Sequence, residues 1–196
     1  MAKAKPAKAP AKKQTKKDEP NADLLQNPEA IHQLLGIPGP YDPPPPPIPT
    51  KRFVTWWDPG MSVNTLVKKH SQLFYIPRLF EGERCAKDTD AWKWREWKVE
   101  PVEPGLPFEE QRKKLKAGEE PAAVREIVLY LALVFLTRGE RLDLGRLRSK
   151  DLAASGRRMT VWLSPMGFDL ASVADDWKSP GIGLSVMMTP TMRLKK

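Results

Sequence analysis

Hydrophobic residues follow three rhythms along this chain, and each rhythm changes at a glycine or a proline. "KRFVTWWDPG" (51–60) mixes β-branched and aromatic residues and halts at Asp58-Pro59-Gly60, which predicts a strand closed by a turn. In "SVNTLVKKHSQLFYIP", Ser62 can cap a helix that ends at Pro77. Val63, Leu66, Val67, Leu73 and Phe74 fall near one face of it, with Lys68, Lys69 and His70 on the solvated side. Phe108 to Lys116 predicts a short charged helix closed by Gly118. From Ile127 to Leu136 ten apolar residues run without a break, between Pro121 as a first helical position and Gly139 as a stop. That run is half of the ~20 residues a membrane span needs, so it predicts a buried central helix.

Beyond Gly139 the pattern alternates. "RLDLGRLR" points Leu142, Leu144 and Leu147 inward, "RRMTVWLS" does the same with Met159, Val161 and Leu163, "SPMG" is a tight connection, and "FDLASVA" and "IGLSVMMT" follow as strands. The fold class expected is α+β: a small single domain over 51–191 with the central helix packed on a short antiparallel sheet, the sheet's other face being left to water or a partner.

The first fifty residues read differently, as a disordered basic and proline-rich arm. "MAKAKPAKAPAKKQTKK" has too little apolar surface to offset an ordering cost of roughly 1–2 kcal/mol per residue. Leu24, Leu25, Ile31, Leu34 and Leu35 lie close to helical spacing, with Asn27 and Pro28 to start a helix and Gly36 to end it. A short amphipathic helix over 28–35 can dock on the parent domain or on another protein. His32, between apolar positions, has no ligand pattern around it. Five prolines at 43–47 must be extended and predict a polyproline II linker about 15 Å long, able also to dock on an aromatic groove. Residues 192–196 form a basic C-terminal tail.

Charge sharpens this division. Of the formal net charge of +9, seven units come from Lys3, Lys5, Lys8, Lys12, Lys13, Lys16 and Lys17, which leaves +2 for everything after them. Those lysines are candidates for binding nucleic acid or an acidic partner through salt-sensitive counterion release. In composition the segment resembles the Lys/Ala/Pro tails of linker histones and of some bacterial nucleoid proteins. It lacks the apolar core of a secretory signal, and Cys85 is the only cysteine, so a reducing, cytoplasmic setting is expected. One cysteine and two histidines do not make a usual structural zinc site, and neither metal nor cofactor is expected.

Three groups of residues remain as candidate chemistry. "AWKWREWK" (91–98) places Trp92, Trp94 and Trp97 among basic residues, yet neither helix nor strand puts all three rings on one face, so a core seam or a protein interface is expected ahead of base stacking. Arg141, Arg146, Arg148, Arg157 and Arg158, with Lys150, are the densest basic group of the folded part; on a sheet edge they can bind phosphate or protect the edge from pairing. Cys85, with His70 and Asp58 upstream and Arg84 and Lys87 beside it, is the one conceivable nucleophile.

No phosphate-cradling glycine loop is present, and the acidic pairs adjoin in sequence and so face apart. The sequence therefore predicts a non-enzymatic interaction protein with a protein or nucleoprotein partner and no membrane contact, its tail adding electrostatic affinity. Sequence-independent nucleic-acid binding by the tail and the arginine cluster together is the alternative, a small cysteine-dependent enzyme the second. The partner's identity and the oligomeric state are not written in the sequence.

Overall fold

The computed structural model of the chain describes residues 24–39, 42–47, 52–98 and 100–188; the seven arm lysines and the 192–196 tail lie outside the described residues. Five helices are present: α1 (Pro28–Leu35), α2 (Val63–Lys69), α3 (Arg78–Glu81), α4 (Phe108–Arg112) and α5 (Val124–Arg138). The strands are β1 (Phe53–Asp58), β2 (Lys93–Lys98), β3 (Glu120–Pro121), β4 (Arg146–Leu152), β5 (Arg158–Ser164), β6 (Gly167–Val173), β7 (Ile182–Leu184) and β8 (Val186–Met188). The α+β class read from the pattern is the one observed.

The expected single antiparallel sheet is two sheets, ordered β1-β2-β8-β3 and β6-β5-β4-β7. "IGLSVMMT" divides at Ser185: β7 runs parallel to β4, and β8 continues antiparallel between β2 and β3. Backbone bonds stitch the junction. Ser185 donates to Arg148 O at 3.1 Å and accepts from Ala122 N at 2.9 Å, while Lys150 N donates to Ala122 O at 2.9 Å. These commitments also explain why α5 begins at Val124 and not at Pro121. Glu120 and Pro121 pair with β8 and Ala122 bridges both sheets, so the chain is free to turn helical only afterwards.

Carboxylates cap the exposed N–H groups at the start of α5. Ala123 N donates to Glu126 at 2.7 Å and Val124 N to Asp151 at 2.6 Å, placing negative charge at the positive end of the helix. Gly139, at φ 68°, closes the other end. All residues from Val124 to Val134 are buried, which is why the helix is apolar on every side from Ile127 onward. Leu147, Met159, Val161 and Leu163 belong to the core that surrounds it, as the alternation predicts.

The amphipathic helix docks on the parent domain. Leu25, Ile31 and Leu35 join the main core, Asn27 caps Ala30 N at 3.0 Å, and Lys69 Nζ holds Gly36 O at 2.7 Å. The folded unit therefore reaches back to Leu24. The helix expected from Ser62 to Pro77 is shorter, because at His70 the chain leaves the helix so that Leu73 and Phe74 can meet the start of β6. There Gly167, at φ 119°, lies so close that an added Cβ would stand 2.6 Å from Leu73 O.

Candidate functional site

The β1–β2 hairpin accounts for the dense tryptophans. Trp94 pairs with Trp57 and Trp97 with Val54, so successive rings leave on opposite faces. On the face toward α5, Trp97 stacks on Tyr130, centroids 4.5 Å apart and planes 14° apart, and Trp56 meets the same ring at 5.7 Å. On the other face Trp57 and Trp94 form a T-shaped pair at 5.1 Å. Trp57 Nε1 donates to His32 Nε2 at 3.0 Å, so His32 is the Nδ1–H tautomer, donating to Pro38 O. Trp94 Nε1 donates to Pro44 O at 2.7 Å. As interface candidates Trp94 and Trp97 are corrected by their burial, at 7% and 1% exposed, because both faces of this hairpin are covered. Trp92 alone of the three reaches solvent, edge-on to His32.

The arginine group is dispersed. Arg141 donates to Ser164 O at 3.0 Å and to Pro165 O, with its guanidinium over Phe135. Arg158 pairs with Asp175 at 3.0 Å, donates to Lys150 O and lies 3.8 Å from the Phe108 ring centroid. Arg148 is fully buried and donates to Leu106 O, Gln111 Oε1 and Trp177 O at 3.1, 2.9 and 2.8 Å. Burial lowers its pKa. Arg146 pairs with Asp169 at 2.8 Å, and Arg157 is exposed in the β4–β5 turn. Three of the five thus fasten loops to the sheet and Arg146 ties two of its strands together, so they do not form a bare phosphate-binding edge.

One ionic cluster had no local signal in the sequence, since its bonded partners lie as far as 67 positions apart. Asp58, at the end of β1, is fully buried; Arg125 grips it with bonds of 2.9 and 2.6 Å, Arg95 Nε adds one of 3.2 Å, and Gly60 N adds one of 2.9 Å. Arg95 also reaches Glu126 and Asp90, each at 2.6 Å. Burial pulls the Arg125 pKa down, but Asp58, Glu126 and Asp90 outweigh it and leave it raised. For Asp90, burial is the largest single influence, but the Lys93 hydrogen bond, the Ala91 N–H and the charges of Lys93 and Arg95 together outweigh it and hold the carboxyl below the usual range. Above this cluster opens a polar cleft of about 620 Å³, rimmed by Lys87, Lys93, Lys150 and Glu120. Opposite charges alternate across it and the floor carboxylates are saturated by arginine, so it works as a clamp joining β1, β2 and α5.

Cys85 is buried, and its thiol is pushed up to about 12 by burial and then by the carboxylates of Asp151, Glu83 and Asp88. That is the reverse of the thiolate expected from Arg84 and Lys87, because burial dominates and nearby carboxylates add to it. Asp58, saturated by arginine, is not free to orient a histidine. Among the described residues no cluster of three metal-ligating side chains occurs.

No family model, curated protein or solved structure matches the chain. Among the described residues, no helix is long and apolar enough to cross a membrane.

A largely apolar groove lies on the second sheet. Its inner face packs on α5. Part of its outer face is closed by α4 and the 102–107 segment through a small core of Val102, Phe108, Leu184 and Val186. The rest is a groove of about 640 Å³ whose lining includes Arg146, Trp162, Ala171, Ser172, Trp177 and Ile182. Trp162 and Trp177 are 37% and 48% exposed, and the Arg146 guanidinium stands 5.6 Å from the Trp162 ring centroid. The loop bearing Trp177 is pinned by Arg148 to Trp177 O and by Arg158 to Asp175, and Phe108 N donates to Asp175 O at 2.8 Å. Sequence reasoning missed this pair. The available signal was the phase of "RMTVWLS", which puts Trp162 among the outward positions.

Proposed function

We propose that the chain is a non-enzymatic interaction protein of the cytoplasm whose Trp162–Trp177 groove takes up an extended, proline-containing segment of a partner protein. The observation that carries this reading is the pair of exposed indoles flanking one groove on an anchored sheet and loop. Tryptophan supplies large contact area with little rotamer entropy to lose, and such anchors dominate protein interfaces. Ala171, on the same face of the sheet as Trp162, adds only a methyl to the lining and leaves room for a backbone to approach. An extended proline-containing segment suits such a slot because its backbone is preordered and its carbonyls accept from indole N–H groups.

Charge favours peptide over nucleic acid here. Arg146, the one cation lining the groove among the described residues, is already paired with Asp169, and Asp143 adds negative charge. A phosphate backbone needs unpaired cations. The lysine arm then serves to speed encounter with an acidic partner or with nucleic acid that the partner carries.

The test is selection of displayed random peptides on the full chain, with a Trp162→Ala/Trp177→Ala variant as counter-selection. Enriched proline-containing sequences that bind only the native groove are expected. Enrichment that survives in the double variant, or salt-sensitive DNA binding as the only activity, would contradict the reading.

A further inference from the structure

We propose that the occupant of the groove is the pentaproline rod of a second copy of this chain, so that copies join head to tail; the inference rests on the peptide-docking reading above and names its ligand. Pro43, Pro44, Pro45 and Pro46 are exposed and Pro47 is half-buried. Trp94 Nε1 holds the Pro44 carbonyl at 2.7 Å. In a polyproline II helix of three residues per turn, positions 44 and 47 share one ridge. On that ridge Trp94 holds the Pro44 carbonyl and Pro47 is half-buried, while the rings of Pro43, Pro45 and Pro46 are exposed. The rod is thus displayed, with the entropy of extending it already spent.

Three features match rod to groove. The contact of Trp94 with Pro44 shows within this chain how an indole N–H takes a proline carbonyl, and the groove offers two exposed indoles for the same purpose. Arg52 follows the prolines and Asp143 is exposed at the groove, so that end of the rod finds opposite charge there, Arg146 being engaged by Asp169. The rod lies on the face of the β1–β2 hairpin turned away from α5, and the groove on the face of the second sheet turned away from α5. A rod cannot reach its own groove across the body of the domain. The contact is heterologous, one patch against a different one, and such contacts continue into rings or filaments and do not stop at a closed dimer.

Sedimentation velocity of the full chain from about 10 µM to about 1 mM brackets the affinity of a small transient contact. Native chain is expected to grow past dimer with concentration, and a synthetic peptide spanning residues 41–52 to dissolve the assemblies. A groove variant, Trp162→Ala/Trp177→Ala, and a rod variant, Pro43→Ser/Pro45→Ser/Pro46→Ser, which leaves the Pro44 and Pro47 ridge intact, are each expected to stay monomeric. Mixed together they retain one good rod and one good groove and are expected to stop at a 1:1 dimer. Native chain that stays monomeric throughout, or assemblies that persist in both variants, would overturn the proposal. If displayed peptides still need both tryptophans in that event, the groove reading stands and only its occupant is wrong; if they do not, both fail.

Discussion

The two sets of tryptophans differ in a way that reverses the impression their spacing gives. Trp56, Trp57, Trp94 and Trp97 crowd one hairpin, and all four are buried because α5 covers one face of the hairpin and the α1 segment and proline rod cover the other. Trp162 and Trp177 are isolated in sequence, yet they share a groove and stay exposed. Density along a chain reports how much ring area a small core needs. Exposure on a pinned surface reports a cost the fold has accepted, since leaving such a ring in water forgoes about 25 cal/mol for each Å² not buried.

Several substitutions would break or sharpen that contrast. Loss of residues 24–37 removes Leu25, Ile31 and Leu35 from the core, and the chain is expected to lose its cooperative thermal transition altogether. Trp97→Ala should cost about 3–5 kcal/mol by chemical denaturation, as expected for a large ring removed from a packed core. Arg125→Ala should cost a similar ~3–5 kcal/mol, because it strands the Asp58 carboxylate without its bidentate partner. Trp94→Phe removes the bond to Pro44 O together with part of the ring that meets Trp57, and should cost about 2 kcal/mol. Trp162→Ala and Trp177→Ala should each change stability by no more than about 0.5 kcal/mol while abolishing peptide binding. A large stability loss in either would make the pair core residues like the rest.

Titration adds one further contrast. Burial raises the Cys85 thiol from 9.0 to about 12 and the Tyr130 phenol from 10.0 to about 12, so the folded state favours their neutral forms. Their contribution is complete below pH about 9 and is lost as the pH rises toward 12. Urea midpoints measured across that range should fall, and less so in Cys85→Ala. At neutral pH, Cys85 should resist alkylation until the chain unfolds.

What could be read from the sequence was whatever one stretch of chain decides by itself. The alternation at Met159, Val161 and Leu163 and the unbroken apolar run of α5 each report burial directly, and both hold. The parallel β4–β7 pairing could not be read, because nothing in "IGLSVMMT" marks Ser185 as the point where one strand passes from one sheet to the other. Nor could the late start of α5, which depends on what Ala122 bonds across both sheets. At the level of sites, the arginines between 141 and 158 look alike in sequence. Only their distant partners, Asp169, Asp175 and Gln111, separate the anchored ones from exposed Arg157. The groove was half legible: the phase of β5 turns Trp162 outward, but its meeting with Trp177 depends on a loop that Arg148 ties down.

The central claim is that the sparse tryptophans bind and the dense ones hold the fold. Its most direct test is the indole N–H region of a ¹⁵N spectrum of the full chain, titrated with the synthetic 41–52 peptide and separately with duplex DNA. The account predicts that the peptide moves the Trp162 and Trp177 signals and leaves those of Trp56, Trp57 and Trp97 in place. Movement confined to Trp92 and Trp94, or movement of the Trp162 and Trp177 signals with DNA and not with peptide, would contradict it.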